Sequence, residues 1–515
     1  MAVCQPVNSL AYTFSNWVAS DLPMQYELYS DKFPINTFDD NDTISSIAND
    51  GAGNATITLS STSETYVKRE YIRIQNASED EYNGIWQVLS VVSSTEIVID
   101  APFTSTATGN FQRYYRNYMF RIKIYAGIPS GHTYNSENPI AEVGEIKVRP
   151  GSDGVAVIDV SDYVRSEIKP ITNKLCQALA DGNGFHANDW RMWTGFYISY
   201  AESYDQSDGF EVTTYTSDYT SDTDTGYSEN IYYTCNSALQ FQDPQGRSIG
   251  GYAIADTDPD EVPAQFMTTF STPRYFVGKE FDIAIIIALD NSDLSDLGYG
   301  LEYVLTEYDI TGSSITSHTN PILQQDQGVY RFAFSEFDFN GATTSIEFYI
   351  QSSTGNVLSE VKTILVDSES CGRGDILLRW LNPVGGYDTF YFIRNHDFSL
   401  RVTDRQIRRR NIFKDWDDEF VSGDTQDDYF ATDAVEARTV RTQFLTNDEA
   451  VQMKWLLSSN KVYEVFQTDD EGCARHKQRT VLIDPGEYLF RTLKNKLNKL
   501  EFSYRYTDSL ILPGQ

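Results

Sequence analysis

Residues 377–392 read LLRWLNPVGGYDTFYF. Two strand-like runs flank Asn-Pro-Val-Gly-Gly, and the nature of that loop separates an enzyme-like chain from a scaffold. A phosphate cradle would need G-x-G-x-x-G spacing, or Gly-Lys-Ser/Thr, leading into a helix whose N-terminus faces the anion. Neither pattern is present, and the run that follows, Tyr387–Phe392, is β-rich. Asn382-Pro383 initiates a turn, and Gly385 or Gly386 permits positive φ. The segment therefore reads as a hairpin turn, with Trp380 and Phe390 or Phe392 buried behind it.

The same β pattern extends over the whole chain. Tyr (34) and Phe (29) are abundant among 515 residues, and short Val/Ile/Thr runs recur, as pleated half-buried surfaces favour. The expected fold class is mainly β, with several β-sandwich or β-barrel domains in tandem. Residues 1–200 read as an N-terminal β domain. It carries a small barrel or ribbon insert at about 49–112, where GNATITLSS, YIRIQN, GIWQVLSVVSS and TEIVIDAPF follow closely and Asn83-Gly84 marks a tight hairpin turn. Ser161 is the expected N-cap of a helical turn after GVAVIDV. Residues 201–261, rich in Ser, Thr, Asp and Tyr, read as a long loop or hairpin region. Residues 262–369 read as an immunoglobulin-like sandwich, in which Phe281, Ile283, Ile285 and Ile287 share a face at period two.

The final domain, 370–515, carries the one convincing helix, TNDEAVQMKWLLSSN, at about 446–459. Thr446 and Glu449 form a capping box, each satisfying a backbone donor left free at the helix start. Ala450, Met453 and Leu457 line its apolar face, widened by Trp455 and Leu456.

Net charge is −34, which opposes unspecific attraction to nucleic acid or anionic membrane. It is unevenly spread. Residues 371–515 hold 21 Lys/Arg against 23 Asp/Glu, and residues 1–370 hold the remaining 19 against 51, a net of −32. The balanced C-terminal part suits packing against protein. Five separated cysteines (Cys4, Cys176, Cys235, Cys371, Cys473) make no CxxC pair and read as thiols kept in a reducing cytoplasm. No apolar secretory segment opens the sequence, and IAIIIAL (283–289) is too short to span a bilayer, so no membrane insertion is expected.

Sites of chemistry are not evident. His132, His186, His318, His396 and His476 are scattered, and none begins HExxH; a G-x-S-x-G elbow is absent too. In DTDPDE (256–261) an EF-hand would need Gly at Glu261 and Glu at Met267, and TSDTDTG (220–226) is also out of register. These read as solvated acidic loops. The expectation is no catalytic residue, no cofactor and no metal. RQIRRRN (405–411) stands ten residues before the acidic DWDDEF (415–420), so the charges cancel and no sequence-specific nucleic-acid site is expected. Complementary pairing between identical subunits, or a local salt-bridge lattice, is the better use of such a run.

RWLNPVGGYDTFYF resembles a stretch met in virion proteins of tailed phages of Bacteroidetes. ARTVRTQFLTNDEAVQMKWLLSSNKVYEVF and RTVLIDPGEYLFRTLKNKLNKLEFSYRYTDS resemble distal-tail or baseplate proteins, over about the last 145 residues. In the N-terminal part, VRPGSDGVAVIDVSDYV and YNGIWQVLSV are similar to segments of such phage proteins. The resemblance implies a non-enzymatic tail component in the virion, assembled in the bacterial cytoplasm. Its expected partners are itself, as a ring-like homo-oligomer closed through residues 1–48, 113–200 and 371–515, and other virion tail proteins. A host-surface glycan, met through outward-projecting modules at 49–112 and 262–369, is a further expected partner. The interface residues expected on this reading are Trp380, Asn382, Gly385, Gly386, Arg408, Arg409, Arg410 and Trp416. The competing class is a carbohydrate-binding or depolymerising protein, with WRMWTGFY (190–197) as its exposed aromatic platform.

Overall fold

The computed structural model describes residues 2–3, 17–19, 24–29, 43–60, 66–130, 138–151, 154–168, 186–206, 209–217, 231–235, 237, 249–254, 262–289, 300–322, 327–367, 375–393, 396–409, 427–443, 445–466, 477–486, 498–507 and 510–513. The fold is mainly β, built from several sheets that include a closed barrel. The chain forms two compact units: residues 1–12, 22–167 and 194–234 in one, and residues 13–21, 168–193 and 235–515 in the other.

In the first unit, six strands close in the order Thr43–Asn49, Asn54–Leu59, Glu96–Pro102, Gly84–Ser93, Tyr71–Gln75, Gly109–Tyr114. Closure follows from alternation: Ile44, Ile47, Ile57, Ile72, Ile74, Ile97 and Ile99 all point into one core. The hairpin between Tyr71–Gln75 and Gly84–Ser93 is present, but Asn83-Gly84 is not a two-residue turn. Residues 76–83 form the loop, with a 3-10 turn at Asp80–Tyr82, and Asn83 Oδ1 accepts from Ala77 N at 3.0 Å. A second sheet of this unit aligns Ala141–Val148, Arg116–Gly127, Trp193–Gln206 and Tyr232–Cys235.

Of the two readings of residues 201–261, loop or hairpin, the start of the span takes the hairpin. Trp193–Gln206 runs past residue 202 and folds back through Gly209–Val212, and all of Tyr232–Cys235 is buried. Tyrosine serves as the core residue there, which a count of aliphatics misses. At Ser161–Glu167 the sequence reading is also corrected. Ser161 is the first helical residue, and Asp159 Oδ1 accepts from Ser161 N (2.9 Å) and Met24 N (3.0 Å). A carboxylate before the helix, rather than the serine hydroxyl, meets the N–H of its first residue.

The second unit contains a sandwich. Its five-stranded sheet orders Arg274–Phe276, Lys362–Asp367, Ser345–Ser352, Leu301–Tyr308, Ser314–Pro321. Its four-stranded sheet orders His186–Asn188, Gly328–Ala333, Asp282–Ile287, Ala253–Ile254, so two of its strands come from outside 262–369. Phe281, Ile283, Ile285 and Ile287 enter the common core with Tyr330, Phe332 and Phe334.

The eight-stranded C-terminal sheet orders Tyr387–Phe392, Ile376–Leu381, Val462–Phe466, Lys477–Ile483, Glu501–Tyr506, Asp427–Arg441, Asp397–Arg409; Leu510–Pro513 also pairs with Asp427–Arg441. The helix Asn447–Ser458 covers its core. Thr446 Oγ1 accepts from Glu449 N (3.2 Å), while Thr446 N donates to Glu449 Oε2 (2.8 Å), the capping box in full. Ala450, Met453 and Leu456 are the buried stripe, with Leu457 and Trp455 only partly covered.

Candidate functional site

The Asn382–Gly386 turn is built around one side chain. The N–H groups of Val384, Gly385 and Gly386 donate to Asn382 Oδ1 at 3.0, 3.1 and 3.1 Å. Three converging N–H groups are what an anion would seek, but the asparagine of the same loop already takes them. Asn382 Nδ2 donates in turn to Met267 O at 2.9 Å. Gly385 has φ +102°, a conformation that disfavours any side chain. Gly386 is required for space instead: a Cβ there would lie 1.9 Å from Met267 O. The loop is a turn locked onto the sandwich.

Behind the turn lies a chain of six buried charges that local sequence patterns do not reveal. Arg191 Nε donates to Asp189 Oδ1 (2.7 Å) and Arg331 Nη1 to Asp189 Oδ2 (2.7 Å). Arg331 Nε donates to Asp282 Oδ2 (2.8 Å). Arg379 then bridges Asp282 Oδ1 and Glu280 Oε1, both at 2.6 Å. Three arginines meet three carboxylates, so the cluster is neutral. Burial alone would raise the Asp189 and Asp282 carboxyls, yet the guanidinium groups of Arg191 and Arg331 (for Asp189) and of Arg331 and Arg379 (for Asp282) hold both below the ordinary carboxylate value. Because Arg379 belongs to the C-terminal sheet and both of its carboxylates to the sandwich, residues 262–369 are not a detachable outward module. Excising them would strand a buried guanidinium.

The expected interface residues separate into three groups. Trp380, Asn382, Gly385 and Gly386 are buried within their own chain and offer no surface to a second copy, which corrects that assignment. Arg408 and Arg409 lie on the strand Asp397–Arg409, in register with Asp428 and Asp427. Arg410 and Trp416 lie outside the described residues. The aromatic platform is also corrected: Arg191, Met192 and Trp193 are buried and Trp190 is half-buried, with Trp193 Nε1 donating to Asn188 Oδ1 at 2.9 Å and Trp17 packed at 6.1 Å.

The strand Asp397–Arg409 ends the strand order of the C-terminal sheet, pairing only with Asp427–Arg441 among the described residues, and its residues 397–400 are exposed. Phe398 is 60% exposed and Leu400 53% exposed, on one face at period two. Arg438 reaches over the Phe398 ring at 5.7 Å while binding Glu464 Oε1 at 2.9 Å. The strand carries Arg401, Arg405, Arg408 and Arg409 against Asp397 and Asp404, a net of +2, so the rest of the chain holds −36.

The acidic loops 220–226 and 256–261, His132, His476, Cys4, Cys176, Cys371 and Cys473 lie outside the described residues. His318 meets Glu307 Oε1 at 3.2 Å, and His396 contacts Phe392 O at 3.1 Å. Among the described residues no group of three or more His, Cys, Asp or Glu side chains is arranged to hold a metal ion, and no helix is long and apolar enough to cross a membrane. No family model matches the chain, and no curated protein matches it.

Proposed function

We propose that the protein is a non-enzymatic structural component of a phage tail, of distal-tail, baseplate or tail-hub type, which closes into a ring of identical chains and joins other virion proteins. The observation that carries this reading is the edge strand Asp397–Arg409. A long edge with unpaired backbone groups and exposed apolar side chains is a template for another chain, and natural proteins normally blunt or cover it. Its positive net charge, set in a chain of −34, favours an acidic surface of the next copy over its own like-charged counterpart. Contact between two different surfaces is head-to-tail, the kind that generates rings when the rotation closes. The resemblance of 379–392 to tailed-phage virion proteins, and of 437–466 and 479–509 to distal-tail or baseplate proteins, points the same way, toward assembly in the bacterial cytoplasm and residence in the virion.

Mass photometry of the purified chain tests this. The expected result is a closed oligomer for the natural sequence and monomers for the double variant Phe398→Lys, Leu400→Lys. A chain that stays monomeric within virions, or one that cleaves a host polysaccharide at enzymatic rates, overturns the proposal.

A further inference from the structure

Beside the Asn382–Gly386 turn the second unit holds a cleft of about 140 Å³, walled by the 268–271 segment, Pro383, Val384 and the helix residues Gln452 and Trp455. A single water occupies at least ~10–15 Å³ on the same measure, so the cleft admits roughly ten water-sized groups, about the size of one sugar ring.

The chemistry of the walls follows from where their protons go. A hydroxyl has one proton to donate. Thr268 Oγ1 donates to Asp388 Oδ1 at 2.6 Å, Thr269 Oγ1 to Asp388 Oδ2 at 2.5 Å, and Ser271 Oγ to Asp448 Oδ2 at 2.8 Å. All three hydroxyl protons are thus committed to carboxylates. Thr268 Oγ1 also accepts from Phe270 N at 3.3 Å, which leaves it one lone pair, while Thr269 and Ser271 each keep lone pairs. The hydroxyl wall therefore accepts, and it suits a ligand rich in donors. Trp455 and Phe270 add apolar surface, and the Gln452 amide adds both a donor and an acceptor.

Charge narrows the ligand class. Asp388, Glu360 and Asp448 stand in or behind the walls and oppose an anion. For a cation, the places it would take are already held. Lys362, in the wall, already pairs with Glu360 at 3.2 Å, and Lys454 Nζ holds the cation–π position over Trp455, 4.4 Å from the ring centroid. What remains is a neutral, compact, donor-rich molecule with an apolar face. We infer that this cleft binds a single pyranose residue of a neutral saccharide, with Gln452, Trp455 and the Thr268–Ser271 hydroxyls as its recognition groups. The inference does not rest on ring assembly, since all of these groups belong to one chain.

Ligand-observed NMR with the methyl glycosides of glucose, galactose, N-acetylglucosamine and rhamnose, on the full chain, tests it. At least one glycoside should bind with a dissociation constant on the order of 1 mM. Gln452→Ala should weaken that binding about tenfold, and Ser271→Ala, a second variant with intact thermal unfolding, should weaken it several-fold. Three results would each overturn the inference: no glycoside binds at concentrations on the order of 10 mM, binding is unchanged in both variants, or putrescine binds more tightly than every glycoside.

Discussion

The two ends of the C-terminal sheet use arginine and backbone in opposite ways. At one end, Tyr387–Phe392 is buried along its whole length. Its Asp388 accepts from Thr268, Thr269 N and Thr269 Oγ1, and Arg379 on the neighbouring strand is bound on both sides by carboxylates. At the other end, Asp397–Arg409 shows its first residues to solvent, and two of its four arginines, Arg408 and Arg409, are in register with Asp428 and Asp427 of a single partner strand. Both ends are strands, but one contributes to holding the fold together, while the other leaves Phe398 and Leu400 exposed and is the contact proposed above. A substitution at the buried end should therefore register as stability, and one at the open end as association.

The largest effect is expected at Arg379. Arg379→Met leaves Glu280 and Asp282 with charges that burial opposes, and should cost about 3–5 kcal/mol in chemical denaturation. A loss under about 1 kcal/mol would mean that water reaches the cluster, and the contrast between the two ends would weaken. Gly386→Ala comes next. The added methyl meets Met267 O, so the turn and the sandwich must part, at about 1–3 kcal/mol; unchanged urea midpoints would show that the turn is not locked.

A third expectation concerns acid. Asp189 and Asp282 have folded values below their ordinary 3.8, so their contribution is complete above about pH 4 and is lost as pH falls further through the lowered folded values. Asp388 runs the other way. Burial outweighs the hydrogen bonds from Thr268 and Thr269 and raises its carboxyl, so ionisation above the ordinary value works against the fold. Midpoints measured between roughly pH 2 and pH 6 should fall on the acid side, and Asp282→Asn should flatten that fall. The smallest change in stability belongs to the open end. Phe398→Lys with Leu400→Lys should shift the midpoint by no more than about 0.5 kcal/mol per site while abolishing oligomers. If it unfolds the chain instead, the strand belongs to the core and the comparison fails.

Legibility in the sequence follows the range of the interaction. The turn, the capping box at Thr446 and Glu449, and the alternation in Phe281–Ile287 are settled by neighbours within a few residues, and each could be read directly. The reason Gly386 must be glycine could not, because the obstructing Met267 O lies over a hundred residues away in sequence. The same holds for Arg331 and Asp189. Their charges look like solvated surface until the topology brings Gly328–Ala333 beside His186–Asn188. Trp193 misled for a related reason: an aromatic cluster in WRMW reads equally as a platform or as packing, and Asn188 and Trp17 decide for packing. The acceptor character of Thr269 and Ser271 was out of reach, since it depends on where two hydroxyl protons point.

The six-stranded barrel has a consequence for how such a chain can be assembled from parts. Its first and last strands are hydrogen-bonded neighbours, with Thr43 opposite Asn110 and Ile44 opposite Gly109. The polypeptide thus comes in and goes out at one seam, and the flanking segments need to bridge only the width of a strand pair. To the surrounding chain the module is a short loop, whatever its own length, so a different closed barrel, or a simple turn, could be spliced at that seam at little cost in loop-closure entropy.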